Sequence, residues 1–352
     1  MRLIEGLGAG SAARVVAGLA LCAAAACVRA APVPPECRAA LADRRVALVV
    51  PYAAGGGYDQ YARALAPVLQ RTSGARVSVS NIPAGAGAVG VRTVADGDAA
   101  NLRLGLFEGS LALPQSRAGE TVVSRFVTLG SVASEVPVWT AHPDFVLSAP
   151  RDKPLVASVK EVTASIAELG LAAHALGIPL RFATGYKGSG DHMAAVLRRE
   201  VDLMAISVTT VLKAARGGDL KPVLVVSDRP LDEMPGVPWL AGAGGLVDRT
   251  TANRPAAERA EAMRVARQAA EMARAVRAVF VSSKLPADAQ RCLAAAVETA
   301  LFSDEFARAA ASVGRPPNPA DARATQAALD RMREAAEANR DLIRRLTESA
   351  TR

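Results

Sequence analysis

Apolar and polar positions along the chain change period several times. The first run, Val15 to Cys27, is uncharged and apolar throughout, but too short to cross a bilayer comfortably. Arg2 and Arg14 precede it and Val28-Arg29-Ala30 follows. That order predicts a secretory signal peptide over residues 1–31, with an uncleaved anchor or a lipid-modified Cys27 as the alternatives. Val46 to Pro51 is a solid apolar run bounded by a turn signal and predicts a buried strand. From Asp59 to about Arg71 the apolar positions Ala62, Leu65, Ala66 and Leu69 share one helical face, and Pro67 predicts a kink or an early end. Ala75 to Asn81 is a second strand, "AGAVGVRTVAD" a short helix, and Asn101 to Phe107 a third strand.

A second series follows "SVASEVPVWTAHPD". "PLVASV", "IPLRFATGYKGSG", "VDLMAIS" and Leu220 to Ser227 read as strands, with helices at "SIAELGLAAHALG" and "HMAAVLRRE". Asn253 to Arg277 reads as an alanine- and arginine-rich helix, "AVFVSSKLP" as a late strand, and two or more helices finish the chain around a break at "GRPPNPAD". Strands alternating with helices predict an α/β fold with mostly parallel sheets, in which ligands sit beyond the C-terminal ends of the strands. The glycine-rich loops fall at those ends.

Composition narrows the picture modestly. A chain of 352 residues with 51% hydrophobic and 4% aromatic content has material for about two packed domains. Losing the leader removes three arginines and one glutamate, which lowers the net charge from +8 to +6. That excess weakly favours anionic ligands, but arginines spread along helices without aromatic platforms do not suit nucleic acid. The leader also holds two of the four cysteines, leaving Cys37 and Cys292. An oxidising compartment permits a bridge between them, and two separate buried thiols are the alternative. His142, His174 and His192 lack metal-ligand spacing, and no nucleophile–base pattern occurs. No metal, cofactor or catalytic residue is expected.

The loop "AAGGGYD" joins strand to helix. Its glycines and the helix N-terminus that follows suit an anion, and a tight turn with Asp59 as helix cap is the competing reading. "NIPAGAGAVG", Asn81 to Gly90, repeats the arrangement, "FEGSL" follows the third strand, and "GYKGSG" lies in the second series.

Taken together, "VVPYAAGGGYDQYAR", "SNIPAGAGAVG", "TGYKGSG", "REVDLMAIS", "PLDEMPGVPWL" and the C-terminal "VSSKLPADAQRCLAAAVETALFSDEFARAAASVGRPP" resemble, in order, the solute-binding receptors of tripartite tricarboxylate transporters, the Bug or TctC family. The resemblance runs from about Val46 to Leu346. It implies a two-lobed periplasmic-binding-protein (Venus flytrap) fold, with lobe 1 formed by 44–138 and 279–352 and lobe 2 by 139–278. The crossings are expected at Val136 to Thr140 and Ala278 to Ser282. It implies a periplasmic, non-enzymatic, monomeric receptor that closes on a small organic carboxylate and presents it to membrane permease subunits.

By position, Tyr52, Gly56, Gly57, Tyr58 and Asp59 would form one wall of the site, and Asn81, Gly85, Ala86 and Gly87 the next. Glu108, Gly109 and Ser110 would form a third. Gly185, Tyr186, Lys187, Gly188 and Ser189 would come from the other lobe, with Asp202 and Ser207 near the strand that follows. Two departures stand out. Where the family carries a glycine-rich loop after the first strand of its second lobe, this chain has "VKEVTASIAE", whose Thr163 and Ser165 are the remaining donors. Glu108 sits where an acid repels a carboxylate. It points away, is protonated, or pairs with the cation of a zwitterionic ligand. The rival readings are an enzyme on the same fold using Asp59 or Glu108 as a base, a ligand sensor for a signalling partner, and a degenerate receptor that no longer binds carboxylates.

Overall fold

The computed structural model describes residues 31–112, 125–148, 152–160, 162–186, 188–214 and 217–350. The expected signal peptide lies almost wholly outside them. Among the described residues no helix is long and apolar enough to cross a membrane.

The strands form two five-stranded sheets. The first contains β1 (Arg45–Val50), β2 (Arg76–Asn81), β3 (Leu102–Glu108), β4 (Phe126–Glu135) and β10 (Ala275–Ser282), in the order β2-β1-β3-β10-β4. The second contains β5 (Pro137–Ala141), β6 (Leu155–Ser158), β7 (Leu180–Ala183), β8 (Leu203–Ser207) and β9 (Lys221–Val225), in the order β7-β6-β8-β5-β9. Both sheets are mixed. β1 runs parallel to β2 and β3, and β6 to β7 and β8, as the βαβ pattern requires. The strands by which the chain passes between the sheets, β4 with β5 and later β10, pair antiparallel. The result is the two-lobed α/β fold expected, with less parallel character than the pattern suggested.

In the first lobe β1 is buried on both faces. Val46, Leu48 and Val50 pack with Tyr61, Leu65 and Leu69 of α2 (Gly57–Ser73) and with Leu293, Val297 and Leu301 of α10 (Ala287–Leu301). On the opposite face Val49 joins Val91 and Val94 of α3 (Ala88–Ala95), Phe107, Phe280, and Leu329 and Met332 of α12 (Ala322–Ala338). Each large side chain so buried contributes about 1.5–3 kcal/mol. Helix α2 runs unbroken to Gly74, which caps it with φ 76°. The kink expected at Pro67 does not end it; Pro67 faces solvent, where water is free to meet a carbonyl that the ring leaves unpaired. Helix α1 (Pro35–Leu41) is stapled to α10 by a Cys37–Cys292 disulfide with 4.8 Å between the Cα atoms.

The chain crosses between the sheets twice, the first time within the segment expected at 136–140 and the second time ahead of the one expected. The first takes a single residue, Val136, between β4 and β5. The second follows α9 (Ala256–Met272) at Ala273 and Arg274, ahead of the segment expected at 278–282. The helical reading of 253–277 overran because Arg274 and Arg277 resemble the arginines of α9, yet β10 has begun by Ala275. Residues 279–352 do not all stay with the first lobe. Helix α12 packs on both β4 and α9, and α13 (Arg340–Ala350) packs on the second lobe, where Ala335, Ala336 and Ile343 join that lobe's core. An amphipathic final helix buries its apolar stripe on whichever face is open to it.

Candidate functional site

A cavity of about 540 Å³ lies between the lobes. From the first lobe it is lined by Tyr52 and the loop Ala53 to Tyr58, and by Glu108 at the end of β3. From the second it is lined by Gly188, Ser189 and Gly190 at the start of α6 (Ser189–Leu197), by Ser207 at the end of β8, and by Thr210 of α7 (Val208–Ala214). The N-termini of α2 and α6, one from each lobe, thus meet the same space. Both bring unpaired N–H groups and the positive end of a helix dipole.

The glycine loop is held in place from below. Asp59 is 3% exposed, and its Oδ2 accepts from the Gly55 amide at 2.8 Å and from Arg63 Nε at 2.9 Å. Burial works to raise its pKa, but the Arg63 and Gly55 hydrogen bonds win and hold the carboxyl below its ordinary value. Asp59 therefore shapes the loop and stands behind the cavity wall. Gly55 turns with φ 83°, and a Cβ on Gly57 would come within 3.2 Å of the Arg315 guanidinium. Tyr52 and Tyr58 stack with ring centroids 4.3 Å apart, and the Tyr52 hydroxyl accepts from the Glu108 amide at 3.3 Å.

Two buried arginines complete the wall, and neither was found in the sequence. Arg277 of β10 is 4% exposed. It pairs with Glu135 at the end of β4 and lies 4.5 Å from the Tyr58 ring centroid. Burial works to raise the Glu135 pKa, but the Arg277 charge and the hydrogen bond from Thr209 hold it below the usual range. Arg315, from the loop after α11 (Asp304–Ser312), donates from Nε to Gln60 Oε1 at 2.8 Å. Its Nη1 donates to Thr209 and Thr210 at 2.7 and 3.1 Å, so one guanidinium ties the first lobe to α7 of the second. Arg277 Nε and Tyr58 Oη are buried and make no hydrogen bond among the described residues. Lys160 stands over the Tyr52 ring at 4.8 Å, and Glu168 lines the cavity from a π turn, Ile166–Gly170. Desolvation first, then the Glu108 charge, push the Glu168 carboxyl well above the ordinary range, against the opposing pull of Arg277. His192 hydrogen-bonds Ser158 at 2.9 Å, and burial lowers its pKa, keeping the ring neutral.

Of the residues expected at the site, Tyr52, Gly56, Gly57, Tyr58, Glu108, Gly188, Ser189 and Ser207 line this cavity. The second glycine loop does not. A Cβ on Gly87, at φ 95°, would meet the Pro51 carbonyl at 2.9 Å, and one on Gly90 the Ile82 carbonyl at 2.7 Å, so these glycines serve close packing against the end of β1. Gly85 is off the wall with them, and Asn81 donates to the Tyr52 carbonyl at 3.1 Å as a brace. Gly109 packs under Leu329. Ser165, Gly185 and Tyr186 stand off the wall, Tyr186 5.2 Å from the His192 ring. Asp202 lies at the far end of β8, where its carboxylate accepts from the Val156 amide at 2.7 Å. Lys187 and the side chains of Ala86, Ser110 and Thr163 lie outside the described residues. A signal for Arg277 existed, since a lone arginine inside the apolar run "AVRAVFVS" has to be buried, and a buried charge needs a partner.

No protein-family model matches the chain. Among curated proteins it is 27% identical to a UPF0065 protein of the TAR-I ttuE-ttuC' intergenic region of Agrobacterium vitis, over 81% of this chain and 79% of that one. It is 28% identical to protein BugT of Bordetella pertussis, over 57% of this chain and 66% of that one. Among solved structures, the periplasmic binding protein BugD matches with TM-score 0.64 at 22% identity, over 85% of this chain and 97% of that one. MatC of Rhodopseudomonas palustris, solved with bound malate, matches with TM-score 0.59 at 17% identity, over 83% and 98%. A second R. palustris protein, solved with adipate, matches with TM-score 0.63 at 16% identity, over 84% and 96%. At these identities the structural likeness establishes the fold.

Proposed function

We propose that this chain, a relative of the Bug and TctC solute-binding proteins, captures a small organic acid between its lobes in the periplasm and hands it unchanged to a membrane transporter. One observation carries the reading. The N-termini of α2 and α6, from opposite lobes, face one cavity together with the buried guanidinium groups of Arg277 and Arg315. An anion there gains oriented amide donors and charge in a partly dried space, where each is worth more than in water. The acids seen in relatives of the same fold, malate and adipate, support that class of ligand. Only closure completes the site, since its lining is shared between the two lobes. The crossings at Val136 and at Ala273–Arg274 are where a hinge would bend.

The test is native mass spectrometry of the mature protein purified from periplasm, followed by a thermal-shift screen of mono-, di- and tricarboxylic acids and amino acids. A ligand at 100 times its dissociation constant stabilises the folded state by about 2.7 kcal/mol, which is easily read. A retained acid of unchanged mass, or a shift confined to one class, supports capture. Conversion of the added acid would assign the site to an enzyme. Absence of both a retained mass and any shift would overturn the receptor reading.

A further inference from the structure

Thr209 of α7 does not line the cavity, whereas its neighbours Ser207 and Thr210 do. Its hydroxyl nevertheless stands between a carboxylate and a guanidinium. It donates to Glu135 Oε1 and accepts from Arg315 Nη1 at 2.7 Å. Neither direction can reverse, because a carboxylate only accepts and a guanidinium only donates. A threonine hydroxyl has one proton to give, and Glu135 takes it. On its other oxygen, Oε2, Glu135 accepts from Arg277. Glu135 is therefore the anion shared by both cavity guanidinium groups, Arg277 directly and Arg315 through Thr209.

The partners divide unequally between the lobes. Glu135, Arg277, Arg315 and the Gln60 that braces Arg315 all come from the first. Among the described residues, Thr209 is the one side chain of the second lobe hydrogen-bonded to Glu135, and it shares Arg315 only with Thr210. The seat of α7 is fixed at two points. Its first residue, Val208, donates its amide to the carbonyl of Val136, the crossing residue next to Glu135, at 3.3 Å. Farther along, Lys213 Nζ donates to the Val313 carbonyl at 2.7 Å, two residues before Arg315. A hydrogen bond of 2.7 Å is lost after a stretch of about 1 Å, so a small rotation at Val136 makes or breaks the Thr209 contact. Without the hydroxyl, Arg315 Nη1 keeps only the longer bond to Thr210, at 3.1 Å, and Glu135 loses a donor from the second lobe.

We propose that Thr209 is a positioning residue of the binding site. Its hydroxyl sets Arg315 directly and Arg277 through Glu135 as the lobes come together, so ligand affinity depends on a side chain outside the cavity lining. This rests on the receptor reading above.

The experiment compares the wild type with Thr209→Val, which keeps the shape and removes the hydroxyl, and Thr209→Ser, which keeps the hydroxyl. Calorimetric titration uses malate, adipate, citrate and glutamate as probes, at a temperature where all three proteins are folded. Thr209→Val should weaken binding of whichever probe the wild type takes by about tenfold, and Thr209→Ser by less than about threefold. A second readout needs no ligand. The charged and titratable groups around Glu135 are Arg277, Arg315, Tyr58 and Tyr61, none of which titrates at acid pH. The Thr209 hydrogen bond helps hold the Glu135 pKa down, so Thr209→Val should lose stability at a higher pH than the wild type or Thr209→Ser in urea unfolding. If Thr209→Val does not fold, Thr209→Ala takes its place. Wild-type affinity in Thr209→Val, or an equal loss in Thr209→Ser, would overturn the positioning role and leave the receptor reading standing. Failure of the wild type to bind any probe would overturn both.

Discussion

Replacing Glu135 by glutamine keeps the shape of the side chain and removes one charge from the most deeply buried ion pair described. In the wild type Glu135 is 6% exposed and Arg277 4%, with Thr209 donating to the same carboxylate. Breaking a buried pair from one side typically costs about 3–5 kcal/mol, because the surviving charge stays buried without its counter-charge. Two features lower the figure here. The glutamine oxygen still accepts from Thr209 or Arg277, and Arg277 borders a cavity that water can enter. We expect a loss near the bottom of that range, about 3 kcal/mol, which for a chain this long lowers the thermal midpoint by about 4 °C. Removing both partners in Glu135→Gln with Arg277→Met should cost less than Glu135→Gln alone, since no bare charge is left. Urea or thermal unfolding of the four proteins in the cycle, without ligand, reads this directly. If Glu135→Gln costs under about 1 kcal/mol, or the double variant is no more stable than that single one, the pair is not buried as described.

The same pair sets an acid response. Because the folded pKa of Glu135 is depressed, its contribution is full above the unfolded value of about 4.3 and is lost as pH falls through the folded value. Glu135→Gln should therefore flatten the stability curve below pH 4, and an unchanged acid limb would contradict the assignment. Asp59→Ala should leave the fold intact but loosen the glycine loop, weakening ligand binding by about tenfold (~1.4 kcal/mol) without touching the ligand; equal affinity by calorimetry would show the loop does not need its anchor. Cys37→Ser should cost about 2–5 kcal/mol, since the bridge closes 255 residues of chain, and a reductant titration under urea should reproduce the loss in the wild type. Gly90→Ala should destabilise by about 1–3 kcal/mol through its clash with the Ile82 carbonyl, with thermal unfolding as the readout.

Local interactions account for most of what could be read from residues alone. Val46 to Pro51 is a strand because its apolar run leaves no polar face, and α2 is a helix because Tyr61, Leu65 and Leu69 recur on one side. The glycine loop between them could be placed at a strand end, and its relation to a family of receptors followed from motif order. The first wall of the cavity was visible in that way, whereas Cys37 and Cys292 were only the two cysteines left after the leader, with a bridge and two separate thiols both open until the structure joined them. What could not be read is whatever depends on which segments meet. Two loops with similar glycine content look alike in sequence, yet one lines the cavity and the other packs on Pro51. Only the backbone neighbours around each loop distinguish them.

Arg277 shows the same limit most clearly. Its charge made the start of β10 look like the end of a helix, which moved the lobe boundary and hid a residue of the site together. An arginine is acceptable in a buried strand only if an acid waits for it. Glu135 does so from the neighbouring strand, 142 residues earlier in the chain. Element type follows from neighbours a few residues apart, and so sequence reveals it. The charges around the cavity come from β3, β4, β10, the segment after β6, a π turn and the loop after α11, which only the folded chain brings to one place.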